Sequence, residues 1–138
     1  MRVFLDTSAF AKRYVAEPGS DKVFAICQKA DSLVVSVICL PELISTLSRL
    51  VREKKLTRSD YRKLKGDASA DLADADICQI TSEVLVSTIA LLESHPLRAM
   101  DAIHLACALN IKPDIFKSAD HRQIAGARKA GLKTVDVS

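Results

Sequence analysis

This chain predicts an α/β fold built on a parallel sheet. Two observations carry that expectation. Short apolar runs rich in β-branched residues alternate with longer segments of helical period, the pattern that βαβ units produce. The first run, Met1-Arg2-Val3-Phe4-Leu5, ends on Asp6 and leads at once into Thr7-Ser8, which read as a helix start. A carboxylate at the carboxyl end of a strand stands where open α/β sheets build their sites. With 138 residues the chain fits one domain, 1–138, long enough to bury roughly 68–70% of the surface its unfolded form would expose.

Strands are expected near 2–6, 33–36, 76–80, 114–118 and 133–137. After the first strand, the Glu17-Pro18-Gly19 turn is followed by Ser20, whose hydroxyl suits the cap of a helix over 21–30. Over 37–54, Leu40, Leu43, Ile44, Leu47, Leu50 and Val51 recur at spacings of three and four, one apolar stripe of an amphipathic helix. Pro41 fits in its first turn, where no backbone donor is needed. Thr57 and Asp60 form a Thr-x-x-Asp cap for a polar helix over 58–74, so these two helices should make a hairpin protruding from the sheet. Further helices are expected over 82–94, capped by Thr81 or Ser82, over 99–110, and over 120–130, stopped by Gly131.

The apolar fraction is 49%, but Trp is absent and aromatics make up only 4%, so aliphatic side chains must fill the core. The longest uncharged stretch, Ser32 to Pro41, has ten residues against the ~20 of a membrane-spanning helix. Asp6 interrupts the N-terminus where a signal peptide needs an apolar run, so a cytoplasmic protein with no membrane contact is expected. Cys27, Cys39, Cys78 and Cys107 lie 12, 39 and 29 residues apart among apolar neighbours, with no C-x-x-C pair, and read as buried thiols rather than zinc ligands. A net charge of +3 does not by itself mark a nucleic-acid binder. Its distribution is lopsided, however: Arg49, Arg52, Lys54, Lys55, Arg58, Arg62, Lys63 and Lys65 fall within seventeen positions, opposed only by Glu53 and Asp60. That run reads either as a phosphate-facing patch or as a solvated helical face.

Three further acids stand at the head of a helix or in its apolar start: Glu42 in Leu40-Pro41-Glu42-Leu43, Asp101 in Ala99-Met100-Asp101-Ala102-Ile103, and Asp120 after Ser118-Ala119. With Asp6 they suggest a metal-binding acidic pocket. Taken singly, each has a structural reading, as a helix cap or as a partner of a helix N-terminal dipole. Spacings of 36, 59 and 19 residues do not show convergence, so the residues alone leave both readings open. Four carboxylates in one pocket would need a cation, since unit charges ~4 Å apart at an effective dielectric of about 20 interact by about 4 kcal/mol. Hard oxygen ligands select Mg²⁺ or Mn²⁺ over zinc. His104, one turn after Asp101, faces the same side of its helix, as a packed histidine or as a contact to the site. Asp67, Asp71, Asp74 and Asp76 read as a solvated helix end, and Lys12, Arg13, Arg98 and Arg122, near the site loops, read either as contacts to RNA phosphates or as solvated charges.

The phrases Phe4-Leu5-Asp6-Thr7-Ser8, Glu17-Pro18-Gly19-Ser20, Pro41-Glu42-Leu43, Asp101-Ala102-Ile103-His104-Leu105-Ala106 and Ser118-Ala119-Asp120 occur in order, followed by Ala130-Gly131-Leu132. Together they resemble the PIN-domain ribonucleases, and within them the VapC toxins of bacterial and archaeal toxin–antitoxin pairs, over residues 2 to 137. Where that family carries Thr-x-Asp, this chain has Ser118-Ala119-Asp120, which keeps the hydroxyl.

The resemblance implies a PIN-like α/β/α domain, a parallel sheet of four or five strands between helices, in which Asp6, Glu42, Asp101 and Asp120 meet at the carboxyl ends of the strands and hold one or two Mg²⁺ or Mn²⁺ ions. Thr7, Ser8 and Ser118 would position a water or metal. It implies a metal-dependent endoribonuclease acting as a toxin, a VapB-like antitoxin partner and a homodimer. Arg52, Lys54, Lys55, Arg58, Arg13 and Arg98 are the candidate RNA contacts. A haloacid-dehalogenase-type phosphatase would need a second acid at position 8, which is Ser, and a receiver domain would want a late Lys in place of Asp120. The remaining alternative is a PIN fold that binds RNA or regulates without cutting.

Overall fold

Apolar alternation along the first strand sets the layers of the molecule. In the computed structural model, which describes residues 1–138, β1 (Arg2–Leu5) is the centre of a five-stranded parallel sheet ordered β3-β2-β1-β4-β5. Its companions are β2 (Ser32–Ser36), β3 (Asp76–Cys78), β4 (Ile115–Ser118) and β5 (Thr134–Asp136). Phe4 pairs in register with Val34 and Phe116, while Leu5 pairs with Lys117. Because successive side chains point to opposite faces, Phe4, Val34 and Phe116 pack on one side, and Val3, Leu5 and Val35 on the other. The Phe4 and Phe116 rings stack at 5.5 Å, and each buried side chain of this size is worth about 1.5–3 kcal/mol.

Helices cover both faces. α1 (Thr7–Ala11), α2 (Ser20–Lys29), α3 (Cys39–Arg52) and α4 (Arg58–Ala73) lie over the Val3 face, where Phe10, Val23, Leu43, Leu47 and Ala68 are buried. α5 (Ser82–Ser94), α6 (Ala99–Ile111) and α7 (His121–Lys129) contribute Val84, Leu91, Leu105 and Ala127 to the Phe4 face. Along the apolar stripe of α3, Leu43 and Leu47 are buried and Leu40, Ile44, Leu50 and Val51 half-buried, whereas α4 buries only Ala68 and leaves the α3–α4 turn exposed. Thr57 caps α4 by accepting from Asp60 N, and Thr81 rather than Ser82 caps α5, which ends β3 at Cys78.

Several local expectations are corrected. Ser20 does not cap α2: Gly19 holds that position at φ +91, and Ser20 Oγ instead accepts from Glu17 N at 3.1 Å. A Cβ at Gly19 would lie 1.7 Å from the Val137 carbonyl oxygen, so only glycine fits. Asp71 and Asp76 are not merely solvated: Asp71 accepts from Tyr14 Oη at 2.5 Å and pairs with Arg13, and Asp76 pairs with Arg2. Cys39, Cys78 and Cys107 are buried free thiols, and Cys27 is only half-buried. Lys117 departs from any apolar pattern, being wholly buried with no partner for Nζ, and burial pulls its amine down to about 8.

Candidate functional site

β1 is the switch point of the sheet, with β2 on one side and β4 on the other, and a crevice opens there beyond the carboxyl ends of the strands. Four connections deliver the acids to it. Asp6 ends β1 and caps α1, Glu42 lies in the first turn of α3 after β2, Asp101 opens α6, and Asp120 follows β4 and caps α7. All four line one cavity of about 500 Å³, with Thr7, Ser8, Lys12, Glu17, Ser45, Thr46 and His104. The two structural readings of the acids therefore hold together with the shared one. Asp6 Oδ1 accepts from Ala9 N at 3.0 Å and Asp120 Oδ1 from Arg122 N at 2.8 Å, while both carboxyls line the cavity.

Burial pushes the Asp6 carboxyl above the usual carboxylate range, against the Ser118 and Ser8 hydroxyls that favour its charge. Ser8 Oγ donates to Asp6 Oδ1 at 2.6 Å, and Ser118 Oγ lies 3.3 Å from Ser8 Oγ and accepts from Asp120 N at 2.9 Å. Ser118 does not line the cavity; it ties the Asp6 and Asp120 segments together from below. Asp101 is also raised, by burial first and then by repulsion from Asp120, against the pull of Arg98. Burial works the same way on Glu42, but hydrogen bonds from His104 and Thr7 outweigh it and hold that carboxyl below its ordinary value.

His104 is the site residue that sequence reasoning left between two readings. Only 2% exposed, it brings Nε2 to 2.5 Å from Glu42 Oε1, and Thr7 Oγ1 donates to the same oxygen at 2.7 Å. A carboxylate only accepts, which assigns the proton to Nε2. The helical spacing from Asp101 signalled this position, but the partner, Glu42, is 62 residues away and no local pattern names it.

The other basic candidates separate. Arg52, Lys54, Lys55 and Arg58 gather around the exposed α3–α4 turn, away from the cavity. Arg98 stands at the N-cap position of α6 without a capping bond, 3.9 Å from the cavity residue Asp101, and is largely exposed. Arg13 is not brought to the cavity: its guanidinium lies 3.5 Å from Asp71 and over the Tyr14 ring, bracing α1 against α4. Lys12, read either as a phosphate contact or as a solvated charge, is buried in the cavity wall.

The donor set suits a hard divalent cation: aspartate and glutamate oxygens with buried or mutually repelling charge, and no cysteine in the lining. As the side chains stand they form no closed cage, since no three His, Cys, Asp or Glu groups are gathered closely enough to hold an ion.

The PIN domain family model matches residues 3–129. Ribonuclease VapC45 of Mycobacterium tuberculosis is 31% identical over 133 residues, covering 95% of this chain and 92% of that protein. Among solved structures, FitAcB from Neisseria gonorrhoeae superposes with a TM-score of 0.76 at 15% identity, covering 98% of this chain and 97% of that one. VapC20 from Mycobacterium tuberculosis, described as a sarcin-ricin loop cleaving toxin, superposes with a TM-score of 0.71 at 17% identity, covering 97% and 98%.

Proposed function

Because the chain belongs to the PIN-domain family, in its VapC group, we propose that it is a metal-dependent endoribonuclease serving as the toxin of a toxin–antitoxin pair. The observation that carries this reading is the single cavity lined by Asp6, Glu42, Asp101 and Asp120 at the carboxyl end of the sheet.

Those four carboxylates would hold one or more Mg²⁺ or Mn²⁺ ions. Such an ion, when bound, activates water and offsets charge on the phosphate and the leaving oxygen. The protein's own groups do the rest. Ser8 and the Ala9 amide fix Asp6 Oδ1, and His104 and Thr7 fix Glu42 Oε1, so that each carboxyl is oriented before a ligand arrives. Ser118 keeps the Asp6 and Asp120 loops in register. Arg52, Lys54, Lys55 and Arg58 at the hairpin tip and Arg98 at the rim contact RNA phosphates. Arg13, committed to Asp71, does not.

The partner is a VapB-like antitoxin, supported by the likeness to chains from toxin–antitoxin complexes such as VapBC2 from Rickettsia felis. A homodimer is supported by the apolar outer face of α5, where Leu85, Val86, Ile89 and Leu92 are exposed. No helix is long and apolar enough to cross a membrane, in keeping with action in the cytoplasm.

RNA cleavage by the purified chain is the test. It is expected only with Mg²⁺ or Mn²⁺, and Asp6→Asn and Asp101→Asn should each remove most of it while leaving the circular-dichroism spectrum intact. Full activity in excess EDTA, or in both variants, would reject this function.

A further inference from the structure

Lys12 ends α1 with its side chain in the cavity wall, only 6% exposed. It is the only lysine or arginine among the thirteen lining residues, which include the carboxylates of Asp6, Glu17, Glu42, Asp101 and Asp120. Its Nζ donates to the Pro18 carbonyl at 2.5 Å and lies 3.6 Å from Glu17 Oε1, an ion pair beyond hydrogen-bond length. An ammonium has three donors, so two find no acceptor in the protein although the residue is nearly withdrawn from water. Buried donors are as a rule satisfied. A cation with donors to spare at the wall of a polar cavity is matched to an incoming anion.

The turn that holds it is closely packed. Gly19, locked at φ +91 beneath the Val137 carbonyl, lies so close to the Lys12 stem that a Cβ there would sit 3.4 Å from its Cδ. The five carboxylates leave the lining with four formal negative charges in excess of Lys12, a wall that repels a phosphodiester wherever no cation intervenes.

We propose that Lys12 is a further catalytic residue, donating to a non-bridging oxygen of the scissile phosphate. The proposal rests on the ribonuclease reading above. In hydrolysis the water oxygen bonds to phosphorus as one P–O bond breaks; the water gives up a proton and the leaving oxygen gains one. Lys12 stays protonated throughout and meets the charge that builds on the phosphate oxygens.

The competing account makes Lys12 a brace for the Pro18 carbonyl. The two differ in sign at the metal. Removing a cation from a wall that binds Mn²⁺ leaves that binding unchanged or tighter, whereas loosening the wall weakens it. The experiment compares Lys12→Gln and Lys12→Met with wild type in thermal midpoint, in Mn²⁺ affinity by electron paramagnetic resonance, and in single-turnover cleavage of a short RNA at saturating Mn²⁺. Expected are a near wild-type midpoint, Mn²⁺ binding no weaker than wild type, and a cleavage rate lower by about 10²-fold. A wild-type rate, or a rate loss that accompanies weaker Mn²⁺ binding, overturns the proposal. If neither variant folds, Lys12→Arg decides, since it keeps a cation on the same backbone position: the saturated rate should stay well above that of Asp6→Asn with Mn²⁺ binding no weaker than wild type, and a rate as low as that of Asp6→Asn overturns the proposal. Cleavage that survives Asp6→Asn sinks the ribonuclease reading and this proposal with it, whereas the Lys12 outcomes sink the proposal alone.

Discussion

At Asp6, one carboxyl oxygen accepts both the Ala9 amide that starts α1 and the Ser8 hydroxyl, so helix geometry and site geometry are the same set of bonds. Glu42 is held from two other elements, by His104 on α6 and Thr7 on α1. Lys117 is the residue whose cost to the fold can be measured. It shares a sheet face with Leu5 and Val135, and its amine titrates near 8 when folded against 10.5 as its ordinary value. Between those values the unfolded chain holds a proton that the folded chain does not, so stability should rise with pH from about 8 to 10.5. Below about 8 the buried charge persists at a cost on the order of 3 kcal/mol. Lys117→Met should therefore raise the thermal midpoint by several degrees at pH 7 and flatten the rise above pH 8. A lower midpoint at pH 7 would show that the amine has a partner in solution.

The α3–α4 hairpin divides its labour along its length. Leu43 and Leu47 anchor α3 in the core, and the last turn carries Arg49 and Arg52 to the tip, where Lys54 takes a left-handed conformation at φ 58. α4 buries so little that its basic side chains serve solvent or a polyanion. Replacing Arg52, Lys54, Lys55 and Arg58 with Gln should weaken RNA binding and flatten its dependence on salt, by about 0.7 in log–log slope for each phosphate of a single strand that is no longer neutralised. The single-turnover rate at saturation should stay near wild type, because basic groups away from the cavity position the strand without meeting the reacting phosphorus. An unchanged salt slope would make the tip a solvated face and send the RNA path to Arg98 and the rim.

For the molecule as a whole, the outer face of α5 is the surface left over. Val86 is 69% and Ile89 58% exposed, with Leu85 and Leu92 beside them, while the inner face packs Val84 and Leu91 against α6. A helix apolar on both sides is covered on both sides in a stable assembly. Val86→Glu with Ile89→Lys should halve the mass measured by sedimentation equilibrium and leave the fold intact. A wild-type chain that sediments as a monomer would refute the dimer.

The amino-acid sequence determined the order of strands and helices, because period-two and period-3.6 apolar spacing act over a few residues and need no distant partner. It also marked Asp6, Glu42, Asp101 and Asp120, each at an element end where a charge is tolerated. Local errors fell where a distant contact overrides a local preference. Ser20 suits a cap, but the Val137 carbonyl admits only Gly19 there; Lys117 sits on a strand that any pattern would make apolar; Arg13 reads as an RNA contact, yet Asp71, far along the chain, claims it. Convergence of the acids, the His104–Glu42 bond and the burial of Lys12 belong to the same class. Each depends on which connection crosses at the β1 switch point, and that is set by the packing of strands and helices remote in sequence, about which spacing along the chain carries no information.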